Sequence, residues 1–106
     1  MKVTVLGAGA MGSALTVPLA DNRHEIALWG TSHDRDILDT LKTGAEHPRI
    51  GVRLPDSVDL FPAEGLEDAL SGSDAVVLGV SSAGVVPVGR KVAPYLDPKV
   101  PLITIA

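Results

Sequence analysis

Hydrophobic positions along the chain follow two rhythms. Val3, Thr4, Val5 and Leu6 form a short β-branched and aliphatic run that stops at Gly7, the pattern of a strand covered on both faces in a parallel sheet, so a first strand is predicted over residues 2–6. From residue 10 to 20 the apolar positions recur every four residues instead, at Met11, Leu15 and Leu19 with Ala14 on the same side, which predicts a helix with one apolar face. Pro18 removes a backbone hydrogen bond inside that helix, and a bend or early fraying is expected there. Asp21-Asn22-Arg23 ends it, with Asn22 the residue suited to a left-handed cap. Residues 25–29 then read as a second strand.

The alternation continues to the end of the chain. Residues 33–42 predict a second helix with Ile37, Leu38 and Leu41 on its apolar face, Thr31 or Ser32 as caps and Gly44 as its stop. Between Ala45 and Gly65, the prolines Pro48, Pro55 and Pro62 punctuate two short runs, 51–54 and 57–61, which suit a hairpin or edge strands. A short helix over 66–70 and a Ser71-Gly72-Ser73 turn lead into a third apolar run, 74–80. A helix over 83–96, with Pro87 near its start, and a last strand over 100–105 complete the series. Strands alternating with helices predict an α/β fold: a doubly wound, mainly parallel sheet with helices on both faces, joined by right-handed connections.

Composition narrows the function classes. The chain has 106 residues, 45% hydrophobic and 21% charged, which suits one domain over residues 1–106 and leaves no room for a second core. A net charge of -4 supplies no basic field for nucleic acid or an anionic membrane. The longest apolar run is far short of the roughly 18 residues of a membrane span, and the stretch after Lys2 is too short for a signal peptide. With no cysteine, disulfides and thiolate metal sites are excluded, and a cytoplasmic protein is expected. His24, His33 and His47 are scattered without ligand spacing and read as surface or loop residues, so no metal is expected.

Gly7-Ala8-Gly9-Ala10-Met11-Gly12 spells G-x-G-x-x-G between a predicted strand and a predicted helix, the context that gives this motif meaning. Gly7 makes the turn out of the strand, Gly9 lets the backbone approach a pyrophosphate and Gly12 lets the helix pack on the sheet. The amides of Ala10 and Met11 then face an anion at the positive end of a helix dipole, with no need of Lys or Arg. These are the features of a Rossmann-type dinucleotide-binding domain. The tip of the second strand, Trp29-Gly30-Thr31-Ser32-His33, carries no carboxylate, which favours NADP over NAD, with Trp29 beside the site and Thr31, Ser32 and Arg49 as phosphate partners; Thr31 and Ser32 have helix capping as their alternative role. Val80, Ser81 and Ser82 should line the cofactor across the crevice where strand order reverses, with helix capping again the alternative for the serines. Asp34 and Asp36 read as surface charges of a helix, and Asp74 as the start of a strand. Lys2, Lys42, Lys91 and Lys99 lie away from the carboxyl ends of the strands, so no catalytic residue is assigned.

Beyond the glycine motif, which many dehydrogenases share, four blocks in order resemble the amino-terminal half of NAD(P)-dependent glycerol-3-phosphate dehydrogenase: residues 7–15, Leu28-Trp29-Gly30-Thr31, the stretch from His47-Pro48-Arg49 to Leu54-Pro55, and Asp74 to Ser81. The strand-two Trp and the His-Pro block are the specific parts. Ser81-Ser82 stands where many members have Pro-Ser, and Asn22-Arg23 where many have Asn-Gly. The resemblance implies oxidation of sn-glycerol 3-phosphate to dihydroxyacetone phosphate, or the reverse, by hydride transfer at the nicotinamide. It also implies that the working Lys, Asp, Asn and Arg residues lie beyond Ala106, in a carboxy-terminal substrate domain, and that this chain alone is inactive. The alternatives are the cofactor domain of a ketopantoate or pyrroline-carboxylate reductase, or a stand-alone nucleotide-binding or redox-sensing module. Leu102, Ile103 and Ile105 give the last strand an apolar edge, which suggests either a fragment of a longer protein or an edge covered by a second copy in a homo-oligomer or by another chain.

Overall fold

The computed structural model describes residues 1–105. Five strands, β1 (Lys2–Leu6), β2 (Glu25–Trp29), β3 (Val58–Phe61), β4 (Ala75–Leu78) and β5 (Leu102–Thr104), form one sheet in the order β3-β2-β1-β4-β5. Every neighbouring pair is parallel. The crossovers contain α1 (Ala10–Asp21), α2 (Arg35–Lys42), α3 (Leu66–Leu70) and α4 (Val85–Val92). The expected doubly wound α/β architecture is therefore present, with β1 at its centre.

The period of two in each central strand splits the core. Val3, Val5, Ile26, Leu28 and Val77 pack on one face with Ile37, Leu38 and Leu41 of α2. Leu6, Ala27, Trp29, Val76 and Leu78 pack on the other with Leu66 and Ala69 of α3 and Val92 of α4. Near-continuous apolar strands are what burial on both faces requires. Among the described residues, no helix is long and apolar enough to cross a membrane.

Several local expectations change. The fully buried side of α1 is Gly12, Ser13 and Thr16; of the expected apolar face, Leu15 and Leu19 are partly buried and pack against the core, whereas Met11 and Ala14 are exposed. Small residues let this helix lie close on the sheet, and closeness outweighs aliphatic size at that contact. α1 runs through Pro18 to Asp21; the carbonyl that Pro18 leaves without its i+4 amide belongs to Ala14, on the exposed side of the helix, open to solvent. Arg23, not Asn22, takes the left-handed conformation, with φ 62°. The amides of Arg23 and His24 return to the carbonyls of Ala20 and Leu19, the hydrogen-bond pattern of a Schellman cap, while the Asn22 side chain bonds the Pro18 carbonyl.

The expected hairpin is absent: residues 51–54 form no strand, and β3 alone pairs, in parallel, with β2. The predicted helix over 83–96 is a 3-10 turn at Ser82–Gly84, then α4, then a second 3-10 turn at Ala93–Tyr95. Pro87 falls in the first turn of α4, where amides have no intrahelical partner, and is tolerated; Pro94 ends the helix. β5 is an edge strand whose Leu102 and Ile103 are 46% and 50% exposed.

Candidate dinucleotide-binding site

β1 and β4 are neighbours, yet their chains leave towards opposite faces of the sheet, so a crevice opens beyond their carboxyl ends. Its floor is backbone. Gly7 donates to the Trp29 carbonyl at 2.7 Å and Gly79 to the Leu6 carbonyl at 2.8 Å, which continues the sheet ladder into both turns. A Cβ on Gly7, which has φ +116°, would stand 2.5 Å from the Gly79 carbonyl oxygen, and one on Gly12 would run into the Gly7 carbonyl oxygen. Both positions are closed to any side chain by the fold itself.

Gly9 differs. Its backbone is extended, φ -69° and ψ -172°, a conformation open to any residue. The nearest atom to a Cβ there is Arg49 Nη1, at 3.9 Å. The fold does not need this glycine, so the bare space above it fits a ligand that must approach the backbone. α1 begins here with no side chain capping it, which leaves the amides of Ala10 and Met11 without intrahelical partners. The lining of the adjoining cavity, about 440 Å³, includes Gly7, Gly9, Ala10, Met11, Thr31, Asp34, Arg49, Val80 and Ser81. That volume lies in the range of small-molecule sites.

Three side chains from separate segments hold the middle of the glycine turn. Ala8, itself fully buried, donates its amide to Asp34 Oδ2 at 3.2 Å. Its carbonyl accepts from His47 Nε2 at 2.8 Å and from the Ser13 hydroxyl at 2.9 Å. The same Asp34 oxygen accepts from the Thr31 amide and hydroxyl, at 2.9 and 3.1 Å, while the Thr31 hydroxyl accepts from the His33 amide at 3.2 Å. This is a capping box. Asp34 is thus no free surface charge, and His47 is no surface histidine, for its side chain is fully buried.

The sequence reading missed both roles. A Thr-x-x-Asp spacing at 31–34 was the available sign for Asp34; His47 lay within the family-like block, but nothing local marks its bond to Ala8.

The other expected residues divide. Thr31 caps and lines the cavity at once. Arg49 reaches the turn, with no acidic side chain in salt-bridge range among the described residues. Ser32 faces mainly a second cavity of about 270 Å³, shared with Arg35, Leu38 and Lys42. Ser81 lines the crevice and makes no side-chain cap bond, while Ser82 is exposed in the turn that follows. Trp29 is the clear departure. Its side chain is fully buried in the second core, with Nε1 donating to the Ala63 carbonyl at 3.1 Å, so only its backbone carbonyl serves the site.

Comparison with known proteins gives a consistent picture. Residues 2–106 match the family described as NAD-dependent glycerol-3-phosphate dehydrogenase N-terminus. The chain is 52% identical over 96 residues to the NADP(+)-dependent glycerol-3-phosphate dehydrogenase of Archaeoglobus fulgidus, covering 91% of this chain and 28% of that protein. It is 38% identical over 104 residues to a glycerol-3-phosphate dehydrogenase [NAD(P)+] of Shouchella clausii, covering 96% and 29%. The chain therefore spans less than a third of the length of these relatives. In fold it is similar to the crystal structure of glycerol-3-phosphate dehydrogenase from Coxiella burnetii, with TM-score 0.83 and 23% identity over 97% of this chain and 31% of that one.

Proposed function

Because the chain belongs to the family of NAD-dependent glycerol-3-phosphate dehydrogenase N-terminal domains, we propose that its glycine turn holds the pyrophosphate of a nicotinamide dinucleotide. It does so as the cofactor-binding part of an enzyme that interconverts sn-glycerol 3-phosphate and dihydroxyacetone phosphate. The observation that carries this is the bare backbone at Gly9, which packing leaves free and a close-lying ligand would use. Gly7, Ala8, Gly9, Ala10, Met11 and Gly12 form the cradle, with the amides of Ala10 and Met11 aimed at the diphosphate. Val80 and Ser81 supply the facing wall, and Ser82, exposed in the turn that follows, is left out of it. When bound, the nicotinamide supplies the hydride chemistry, and the protein's part is to orient it.

NADP(H) is the preferred form in this proposal, with NAD(H) also accepted. Arg49 and Thr31, which line the cavity, are the proposed partners of the extra phosphate, whereas Ser32 opens mainly onto the neighbouring cavity, and one relative at 52% identity is named NADP(+)-dependent. The carboxylate of Asp34, which would favour a ribose hydroxyl, has one oxygen engaged by three donors. No lysine lines the cavity among the described residues. Proton transfer and substrate binding are accordingly assigned to groups outside these residues, in a substrate domain of the kind the longer relatives have room for. Residues 1–106 act as one cofactor-binding unit, soluble in the cytoplasm, and the apolar edge of β5 is the place where another domain or a second copy docks.

Titration of the 106-residue chain with NADPH and NADH, followed by nucleotide fluorescence, tests the reading. Saturable binding with NADPH the tighter ligand is expected, together with no turnover of dihydroxyacetone phosphate. Tighter NADH binding would overturn the preference, and absence of binding to either nucleotide would overturn the site.

A further inference from the structure

The segment between α2 and β3, residues 43–57, has no helix or strand, and ordered loops of that length usually serve a function. Its organising residue is His47, whose four polar groups are all engaged. The backbone amide donates to the Val52 carbonyl at 2.9 Å, and the backbone carbonyl accepts from the Gly51 amide at 2.9 Å, so residues 47–52 close on themselves. In the ring, Nδ1 accepts from the Arg49 amide at 3.1 Å, and Nε2 lies 2.8 Å from the Ala8 carbonyl oxygen. An amide can only donate and a carbonyl can only accept. The ring proton must then sit on Nε2, since no other arrangement satisfies both neighbours.

The loop is joined to the glycine turn through that one imidazole, and the residue clipped to its other nitrogen is Arg49. The Arg49 side chain is exposed, yet its guanidinium stands over Gly9. A long, solvated arginine keeps such a position only if its backbone is held there. We propose that His47 is a positioning residue for dinucleotide binding: by bridging the Ala8 carbonyl and the Arg49 amide it sets the Arg49 guanidinium above the glycine turn. This rests on the reading of that turn as the diphosphate cradle. His47 itself is fully buried and is not among the residues that line the cavity.

Two substitutions separate the halves of the bridge. His47→Asn keeps an oxygen in reach of the Arg49 amide, as in an Asx-turn, but is too short to reach Ala8. His47→Gln extends an amide donor towards the Ala8 carbonyl. NADPH and NADH affinities are measured for the intact chain, both variants, Arg49→Ala, and the His47→Asn/Arg49→Ala double variant, with folding checked by circular dichroism.

Arg49→Ala is expected to weaken NADPH binding roughly tenfold by losing a charge-assisted contact. His47→Asn and His47→Gln, each keeping one half of the bridge, should each reproduce most of that loss with the same NADPH-to-NADH pattern, and the double variant should bind no worse than Arg49→Ala. Affinity unchanged in His47→Asn, or a loss that persists in full on the Arg49→Ala background, would overturn the proposal, because a purely structural role is additive. Should His47→Asn fail to fold, nitrogen chemical shifts of the His47 ring in the unmodified chain decide: the Nε2–H form supports the bridge, and the Nδ1–H form overturns it. Failure of the unmodified chain to bind either nucleotide would instead refute the site reading, a separable result.

Discussion

The turn that follows β1 and the turn that follows β4 leave parallel strands at the same end of the sheet and face each other across one crevice, yet they are held in different ways. Both open on a buried glycine, Gly7 or Gly79, whose amide continues the sheet ladder. Around Ala8, side chains of Asp34, His47 and Ser13 then engage the backbone from three segments. Around Ser81 no side chain caps the backbone, and the 3-10 turn closes by its own bond from the Gly84 amide to the Ser81 carbonyl at 2.8 Å. Residues 81–83 are exposed. A wall built to meet fixed charge needs its amides held in place before the ligand arrives, whereas the opposite wall can be held by local bonds alone and opens at lower cost.

Substitutions can break this contrast. The largest effect is expected at Gly12: in Gly12→Ala the new methyl group must push α1 away from the Gly7 carbonyl, with a stability loss on the order of 3 kcal/mol or more. A thermal unfolding midpoint equal to that of the unmodified chain would show that the turn after β1 is not rigid. Asp34→Ala removes the acceptor of the Ala8 and Thr31 amides and half of a capping box, at about 1–2 kcal/mol. Chemical denaturation reads that cost, which should exceed that of removing the Ser81 hydroxyl on the β4 side.

Gly9→Ala sharpens the comparison in another way. The backbone there suits alanine and the space is open, so the stability change should stay within about 1 kcal/mol, the scale of an N-cap exchange, while NADPH affinity falls at least about tenfold. Equal binding by Gly9→Ala and the unmodified chain, measured by calorimetry, would mean that the diphosphate lies elsewhere. The smallest effect belongs to Ser81→Ala, expected to change stability by less than about 0.5 kcal/mol because the hydroxyl makes no cap bond. A larger loss would show that the β4 turn has a side-chain anchor after all.

How far each feature could be read in advance follows from the range of the interaction behind it. β1, β2, α2 and α3 came from short-period patterns and nearby caps, and the glycine motif from six consecutive residues. The face of α1 was misread because aliphatic spacing pointed to Met11 and Ala14, while close packing on the sheet selected Gly12, Ser13 and Thr16. The parallel pairing of β3 with β2 had no local signal, since proline-punctuated runs look alike whether they form a hairpin or an edge. Trp29 stood at the strand tip in sequence, but the alternation of the strand turned its ring into the core rather than the crevice.

By itself the sequence determined the alternation of the central strands with their helices, the family, and the glycines that allow backbone to meet backbone or ligand, because backbone sterics and hydrophobic period act within a few residues. Tertiary structure alone decided that Asp34 and His47, 26 and 39 residues from Ala8, close on the same peptide group. Such partners are chosen by burial: once Ala8 is out of water, its amide and carbonyl must find acceptors and donors, and whichever distant chain segment the fold brings there supplies them.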